Sequence, residues 1–357
     1  MANALAMKGT SIEIIHQTVY REAKNNIPDA IYKHLTGDDP SEPASESNSF
    51  RERATNAYRF AEFLPCFAIR PIFNQLVFVL HFYFGVGLLK ATVLIPVICY
   101  FLMGIVLFVW TCRYVATSWA SLICILTLLS PPVWELARST TPDALSSFVV
   151  LSSMFLLLEE RRLLAGMILL ILSVYIRTDN VLIVILALTY MYAAGFGIRK
   201  REIGILAALA ILSVPLINRF SGDYGAKVLY YRSFVEAPVA VGEISPMFGM
   251  PEYLTALKKC ISGAVHSVYI PFFLIGAAYI LRRPSRAVSG AVLVTSLYTV
   301  AHLIIFPNPE SRFFGSFFVT MGLSLAAIIS VESGARPRTA NTTYPPVNTE
   351  SELAMTA

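Results

Sequence analysis

Nine stretches of apolar side chains, separated by short polar segments, occupy most of this 357-residue chain beyond its first quarter. They lie at about residues 92–112, 116–134, 142–158, 163–176, 180–197, 203–218, 264–281, 288–306 and 314–331. Their Leu, Ile, Val and Ala residues run on without the alternation of a half-buried strand, which indicates helices. In lipid, a helix pairs all of its backbone N–H and C=O groups internally. We therefore predict an all-α, polytopic integral membrane protein with about nine transmembrane helices plus juxtamembrane helices.

The composition agrees with a membrane protein and argues against other classes. Hydrophobic residues make up 56% of the chain and charged residues 14%, and the mean hydropathy is +0.63. These values lie outside the usual range of soluble domains. The net charge of +5 comes from basic residues in twos and threes between apolar stretches, so the lipid bilayer is an expected partner and nucleic acid is not. The five cysteines show no CxxC spacing and predict neither a metal site nor a disulfide framework.

Three parts of the chain differ in composition. They are a polar, external loop-like segment at residues 1–70, a multi-spanning membrane domain at 71–331 with a long external loop at about 219–263, and a disordered cytoplasmic tail at 332–357. Within the first part, the Asp, Pro, Glu and Ser residues between Gly37 and Asn48 predict a loop. The first apolar stretch, Pro71 to Leu89, is either a short span or a helix in the membrane interface.

Arginine and lysine residues predict the orientation of the spans. One set of alternate loops, together with the tail, carries most of them: Arg113, Arg161, Arg162, Arg199, Lys200, Arg201, Arg282, Arg283, Arg286, Arg336 and Arg338. Because basic loops stay in the cytoplasm, the loops near 135–142, 177–179, 219–263 and 307–313 are expected to face outward. We expect a bacterial inner (plasma) membrane, with the carboxyl terminus cytoplasmic.

If Pro71 to Leu89 also crosses, the chain has ten spans and a cytoplasmic amino-terminal segment. The stretches 142–158 and 163–176 form either two crossings or a tight hairpin.

Ionisable side chains at the predicted outer ends of spans are candidates for function, because lipid makes them unfavourable there. The candidate substrate-binding residues fall into four groups: Arg138 and Asp143; Arg177 and Asp179; Tyr231 and Arg232; and His302, Glu310 and Arg312. The planar, permanently charged guanidinium of arginine suits phosphate. Aromatic side chains interleaved with charges, as in the long loop, suit a sugar or a lipid headgroup.

Structural explanations stand beside these functional ones. An acid in the first helical turn, such as Asp143, is favoured by the helix dipole. Arg177 and Asp179 lie close enough in sequence to neutralise each other. Arg312 can extend to lipid headgroups, and tyrosine is common at membrane interfaces.

Four of these segments, in chain order, resemble the C-type glycosyltransferase superfamily (GT-C). Members are polytopic enzymes that take a sugar from a polyprenyl-phosphate carrier at the outer membrane face. The segments are Arg70-Pro71-Ile-Phe, Ala137-Arg138-Ser-Thr-Thr-Pro142-Asp143-Ala-Leu, Ile176-Arg177-Thr-Asp179-Asn180 and Pro309-Glu310-Ser-Arg312-Phe-Phe, within a resemblance that covers about residues 50–331. The resemblance implies that Pro71 to Leu89 is a juxtamembrane helix, that a polyprenyl-phosphate-linked sugar is the donor, and that Arg312 contacts the carrier phosphate.

The catalytic acid is where the chain departs from this family. Members begin with an additional transmembrane helix, followed by a catalytic Asp or Glu at the start of the first external loop. Here the chain opens inside what resembles that loop, which predicts a truncated amino terminus. The nearest acids are Glu13, Asp38 and Asp39, of which Asp38 and Asp39 are the candidate catalytic residues. Transfer from a lipid phosphate needs a general base and a cation for the leaving phosphate, so a divalent cation is a possible cofactor.

Three functions fit these features. The first is a GT-C-like glycosyltransferase, and the second is a non-catalytic carrier-binding or scaffold relative that has lost the base. The third is a transporter, which would need polar residues near the middle of the membrane, whereas the charges here gather at one face. The sequence contains no Walker loop, GxGxxG, HExxH or GxSxG motif, so cofactor chemistry of the soluble type is not expected.

Overall fold

The computed structural model describes residues 10–41, 44–222, 249–265, 269–282 and 285–332. These residues are 85% helical and contain no β-strand, which confirms the all-α prediction. Each of the nine predicted apolar stretches coincides with a helix or a pair of helices. Tyr231, Arg232 and the predicted tail lie outside the described residues.

The described part of the polar amino-terminal segment is mostly helical. It contains α1 (Ile12–Asn26), α2 (Asp29–Thr36), α3 (Ala44–Thr55) and α4 (Ala57–Ala68). Ser11 caps α1 and Asn56 caps α4 by accepting backbone N–H groups of the first turn, which compensates for N–H groups that lack a helical partner. Helix α3 begins at Ala44, so the loop predicted between Gly37 and Asn48 is shorter than expected.

A sharp bend separates α4 from α5 (Pro71–Phe84), whose axes differ by 110°. Pro71 occupies the first turn of α5, where the missing N–H removes no helical hydrogen bond. Gly85 ends α5 with a φ of 66°, a left-handed conformation that glycine adopts without strain. The bend places Arg70 at the corner between the two helices.

Four helices in the described ranges are long and apolar enough to cross a membrane. They are α6 (Leu88–Thr111), α12 (Lys200–Phe220), α15 (Arg286–Ile305) and the segment Ser311–Glu332, which comprises a 3₁₀ turn and α16 (Gly315–Glu332). The number rises to seven if three bent pairs each form one span. These pairs are α4 with α5, α7 (Thr117–Leu129) with α8 (Pro131–Arg138), and α13 (Met250–Val265) with α14 (Tyr269–Arg282). Several apolar helices are therefore compatible with an integral membrane protein.

The predicted count of nine spans is not confirmed, because three of the predicted spans are short helices. They are α9 (Asp143–Met154), α10 (Leu163–Ile176) and α11 (Val181–Ala193), of 12, 14 and 13 residues. A perpendicular crossing needs about 20 residues. A π-helical turn, Phe155–Glu159, lengthens α9 at its carboxyl end.

Helix α16 lies at the centre of the bundle, where it packs against α7, α9, α14 and α15. Phe314, Phe317 and Phe318 at its start are fully buried. Gly322 lets α16 approach α7 closely, since a Cβ atom there would lie 2.2 Å from Thr127 Oγ1. That separation is shorter than van der Waals contact allows.

We expect Gly322→Ala to lower the free energy of unfolding by about 1–3 kcal/mol, because the added methyl overpacks the contact between α16 and α7. Gly204→Ala is the matched control, since a Cβ on this residue of α12 meets nothing within 4 Å. It is expected to be neutral or stabilising by up to about 1 kcal/mol. Unfolding of both purified variants in mixed micelles measures the difference, and equal stability of the two would contradict the packing argument.

Polar contacts gather at two ends of the bundle. At one end, Glu159 accepts a hydrogen bond from Trp110 Nε1 at 3.0 Å, and Arg113 pairs with Glu160 at 2.5 Å. Asp143 begins α9 at the other end. The helix from Asp143 to Glu159 spans about 24 Å at about 1.5 Å per residue. The basic loop containing Arg113 is therefore well separated from the loop that precedes Asp143.

Candidate functional site

Asp143 is the first charged group of the candidate site. It is the first residue of α9 and only 3% exposed, and the positive end of the helix dipole favours its negative charge. Its Oδ2 accepts a hydrogen bond from Thr141 Oγ1 at 2.5 Å, and its Oδ1 accepts one from Arg177 Nη1 at 2.6 Å. The helix dipole and a specific partner thus act together on this carboxylate.

Arg177 joins two carboxylates at the end of α10. Its side chain is 9% exposed, and in addition to Asp143 it donates Nε and Nη2 to Asp179 at 3.0 and 2.6 Å. The 3₁₀ turn Thr178–Asn180 gives the short spacing that this fork requires. Asn180 anchors the turn by donating to Ser146 Oγ and to the carbonyl of residue 173. Because the N–H groups of Arg177 already donate to Asp143 and Asp179, Arg177 holds α9 and the turn together. We call Arg177 with its two carboxylates the Arg177 clamp.

Asp179 collects donors from two parts of the chain. Its Oδ2 accepts from Arg177, from the Tyr298 hydroxyl at 2.7 Å and from His302 Nε2 at 3.0 Å. Burial opposes ionisation of Asp179, but the Arg177 and His302 partners outweigh it and hold the pKa well below its usual range. Tyr298 and His302 are four residues apart on α15 and project from one face of that helix.

His302 is enclosed in an aromatic pocket and is only 3% exposed. Its ring centroid lies between 5.0 and 5.7 Å from those of Tyr298, Phe306, Phe313 and Phe314. Since the carboxylate of Asp179 can only accept, Nε2 of the imidazole carries the proton. Among the described residues, Nδ1 is buried and has no hydrogen-bond partner.

Two more arginines border these groups. Arg312 lies in the 3₁₀ turn Ser311–Phe314 and forms an ion pair with Glu310, whose side chain is 46% exposed. Arg70 lies within electrostatic range of Asp143, Arg177 and Arg312. Arg70 nevertheless forms no ion pair with any carboxylate of the described ranges. The donors of its guanidinium are therefore available.

Phe313 is the common neighbour of the cationic groups. The Cζ atoms of Arg177 and Arg312 lie 4.8 and 5.1 Å from the centroid of its ring, within the range of cation–π contacts. The His302 ring lies 5.7 Å away. An aromatic side chain thus covers the point where the arginines and the imidazole converge.

An apolar cavity of about 280 Å³ adjoins this point, between α13, α14 and α15. Its lining includes Leu257, Cys260, Ile261, Tyr269, Phe273 and Leu303. The Tyr269 hydroxyl donates to the Pro309 carbonyl at 2.8 Å, and the Tyr269 ring contacts that of Phe314 at 5.6 Å. The cavity therefore ends at the segment that carries Glu310 and Arg312.

Three of the four predicted groups thus meet around the Arg177 clamp, but not every predicted residue does. Arg138 is exposed at the end of α8. Asp38 lies on an exposed turn after α2 and contacts Thr36 and Arg51. Asp39 beside it accepts from Ser41. In the described ranges, no cluster of three or more His, Cys, Asp or Glu side chains is arranged to hold a metal ion.

Sequence reasoning missed Tyr298 and Phe313 and did not include Arg70 among the substrate-binding residues. A signal existed for Tyr298, since a hydroxyl in a predicted span, one helical turn before His302, shares its face. Arg70 immediately precedes Pro71 in a segment that the family resemblance already used. Phe313 also lies in a segment that the resemblance used, but an aromatic residue beside an apolar span is ordinary and does not by itself indicate a contact with arginine.

Comparisons with known proteins add no assignment to this geometry. No family model, no curated protein and no solved structure matches the chain. The function is therefore inferred from the side chains themselves.

Proposed function

We propose that the protein is a GT-C-like membrane glycosyltransferase. It transfers a sugar from a polyprenyl-phosphate carrier to an acceptor at the extracytoplasmic face of a bacterial plasma membrane. The observation that carries the proposal is Arg70, a partly buried guanidinium without a carboxylate partner in the described ranges, beside Arg312. A carrier of this kind has an anionic head and a long apolar tail, so it needs both a cationic site and an apolar groove.

The cationic site suits a phosphate. Asp143, Arg177 and Asp179 together carry a charge of −1 and satisfy one another. Arg70 and Arg312 remain for a ligand. The ion pair of Arg312 with the half-exposed Glu310 is of a kind that contributes about 0–1 kcal/mol. The carrier phosphate, which is a singly charged diester while the sugar is attached and a doubly charged monoester once the sugar has left, can therefore replace Glu310 with little loss. Charge-assisted hydrogen bonds from two arginines to one phosphate are stronger than this local pair.

The cavity between α13, α14 and α15 suits the first isoprene units of the tail. Its lining is almost entirely hydrocarbon, and its lining residue Tyr269 is hydrogen-bonded to Pro309, three residues before Arg312. Burial of an apolar chain there stabilises the complex by about 25 cal/mol per Å². Head and tail of one lipid phosphate would thus be recognised side by side.

In the topology that we propose, all nine apolar stretches cross the membrane and the loops with Arg113, Arg161 and Arg162 face the cytoplasm. The three short helices α9, α10 and α11 then cross inside the bundle, where neighbouring helices and a locally thinned bilayer compensate for their length. This arrangement leaves the Arg177 clamp at the outer face.

Arg70→Gln is expected to weaken binding of farnesyl phosphate by about 10- to 100-fold, which corresponds to the loss of a charged hydrogen bond of about 1.5–3 kcal/mol. Binding to purified protein in nanodiscs, measured by calorimetry, tests this. Lys90→Gln, on an exposed residue at the start of α6, is the matched charge control and should bind as the wild type does. The affinities for farnesol, which lacks the phosphate, and for inorganic phosphate, which lacks the apolar tail, give the contributions of tail and head separately. Equal affinities of wild type and Arg70→Gln would contradict the site.

Transfer itself is tested by supplying the wild-type protein with polyprenyl-phosphate sugars and candidate acceptors and measuring release of the carrier phosphate. Absence of release would make the enzymatic proposal wrong.

The second candidate is a non-catalytic carrier-binding relative. One observation favours it, since the contacts of Asp38 and Asp39 in the described residues are with Arg51 of α3 and with near neighbours in sequence such as Ser41, rather than with the residues around Arg177. It requires carrier binding that weakens on Arg312→Ala, without turnover.

A further inference from the structure

One buried nitrogen of this site, His302 Nδ1, has no hydrogen-bond partner in the described ranges. Arg312 Nε, by contrast, already forms an ion pair with Glu310. Buried polar atoms are almost always paired, so an unpaired imidazole acceptor in a site that also contains Arg177 and Arg312 indicates a ligand that brings a donor to it. A hydroxyl beside a phosphate is such a ligand.

The oxygens of both carboxylates of the cluster are already engaged by donors. Asp143 and Asp179 each accept charged hydrogen bonds from Arg177. Asp179 also accepts from Tyr298 and His302. The imidazole of His302 differs, because Asp179 fixes its proton on Nε2 and leaves the lone pair of Nδ1 unused. A carboxylate that orients an imidazole in this way also stabilises the imidazolium once it forms.

From this geometry we infer that His302 is the general base of the reaction and that Asp179 positions it. The inference rests on the proposed function. The acceptor hydroxyl gives its proton to His302 Nδ1 while its oxygen forms a bond to the anomeric carbon of the donor sugar. The bond between that carbon and the phosphate oxygen breaks, and its electron pair leaves with the carrier phosphate, which Arg312 and Arg70 hold. The imidazolium then releases the proton to solvent.

Phe313 lies against the groups that this step uses. Its ring contacts His302, Arg177 and Arg312. It is partly exposed, whereas Phe314 beside it is fully buried. The Phe313 ring is therefore a partly exposed aromatic surface next to the imidazole and both guanidinium groups.

The test uses full-length protein in nanodiscs, a panel of farnesyl-phosphate hexoses and pentoses as donors, and release of farnesyl phosphate as the signal. His302→Gly is expected to slow release by about 10²- to 10⁴-fold. Added imidazole is expected to restore part of the rate in proportion to its concentration, because it occupies the space of the missing ring. A purely structural role of His302 would give no such rescue. Binding of farnesyl phosphate should change by less than about twofold, since Arg70 and Arg312 are retained.

His302→Gln keeps the approximate size of the side chain, so it tests the role of His302 as general base if His302→Gly does not fold. His81→Gln is the matched control, because the His81 ring lies at the end of α5 and contacts only the Val86 carbonyl among polar groups, at 2.9 Å. It should release carrier phosphate at the wild-type rate.

The outcomes distinguish an error in the role of His302 as base from an error in the proposed glycosyltransferase activity. A slow His302→Gln variant with intact farnesyl phosphate binding, together with imidazole rescue of His302→Gly, supports the base. A wild-type rate in His302→Gln, or an unrescued His302→Gly variant that is folded, overturns the base and leaves the glycosyltransferase in place. Absence of release by the wild-type protein overturns both.

Discussion

Replacement of Arg177 by methionine is expected to lower the free energy of unfolding by about 3–5 kcal/mol, the usual loss when one partner of a buried ion pair is removed. Methionine fills a similar volume but donates no hydrogen bond. Asp143, which is 3% exposed, would lose its charged partner, and Asp179 would keep only Tyr298 and His302. Two carboxylates in a nearly dry site would then repel each other.

Titration of the purified variant with denaturant in mixed micelles measures this loss. Arg113→Met is the matched control, since the Arg113–Glu160 pair has an equally short contact of 2.5 Å but side chains that are 32% and 25% exposed. We expect about 1 kcal/mol or less there. Arg177→Met combined with Asp143→Asn and Asp179→Asn removes all three charges and should recover part of the stability. A loss in Arg177→Met no larger than in Arg113→Met would show that the clamp does not hold the fold.

Substitution of asparagine for Asp179 is expected to slow transfer by about 10²- to 10⁴-fold in a protein that still folds. Every group around this side chain is a donor: Arg177, the Tyr298 hydroxyl and His302 Nε2. The asparagine side chain would point its NH₂ group, which is also a donor, at one or more of these groups, and two donors cannot form a hydrogen bond with each other. The imidazole can relieve the conflict by moving its proton from Nε2 to Nδ1. Nδ1 then has no lone pair with which to accept the hydroxyl proton.

Single-turnover release of carrier phosphate, with donor saturating, measures this effect apart from binding. Tyr298→Phe is the comparison, because it removes one donor from the same Asp179 oxygen without disturbing the tautomer of His302. A hydrogen bond to a charged group, of about 1.5–3 kcal/mol, sets an upper limit of about 10- to 100-fold on the slowing by Tyr298→Phe. If Asp179→Asn is no slower than Tyr298→Phe, the positioning role of Asp179 is refuted.

The apolar stretches predicted the helices of the bundle well, because burial in lipid or in the core requires the same residue types along a whole helix. Whether each helix crosses was harder to predict. The stretch 116–134 contains Pro131 and Pro132, and the chain bends there by 65° between α7 and α8. Proline at the start of α8 ends the preceding helix, a local effect that average hydropathy does not register.

The amino-terminal helices were missed for a different reason. Helices α1 and α3 are polar on average and short, so no apolar run marks them. The amino-terminal helices are marked instead by caps, such as Ser11 of α1 and Asn56 of α4, and by the burial of single side chains, such as Ile15 of α1 and Phe63 of α4, against neighbouring helices. Short helices of this kind are stable only through tertiary packing, which local sequence does not contain.

Several side chains around Arg177 were among the candidates from the sequence, but most of the contacts between them were not predicted. Arg177 and Asp179 were paired from their spacing alone, and the structure contains that pair. The contact of Arg177 with Asp143 joins residues 34 apart, and the contact of Asp179 with Tyr298 joins residues 119 apart. Such pairings depend on how helices pack, and one sequence does not encode them in any readable pattern.

Because Asp179 and Tyr298 are far apart in sequence, they are also synthesised at different times. Tyr298 follows Asp179 by 119 residues, so at about 5–20 residues per second it leaves the ribosome about 6–24 s later. In that interval the nascent chain contains Asp143, Arg177 and Asp179 but neither donor of α15. Translation of the last two helices therefore completes the buried cluster, and in a chain released before them the carboxylate of Asp179 lacks half of its hydrogen-bond donors.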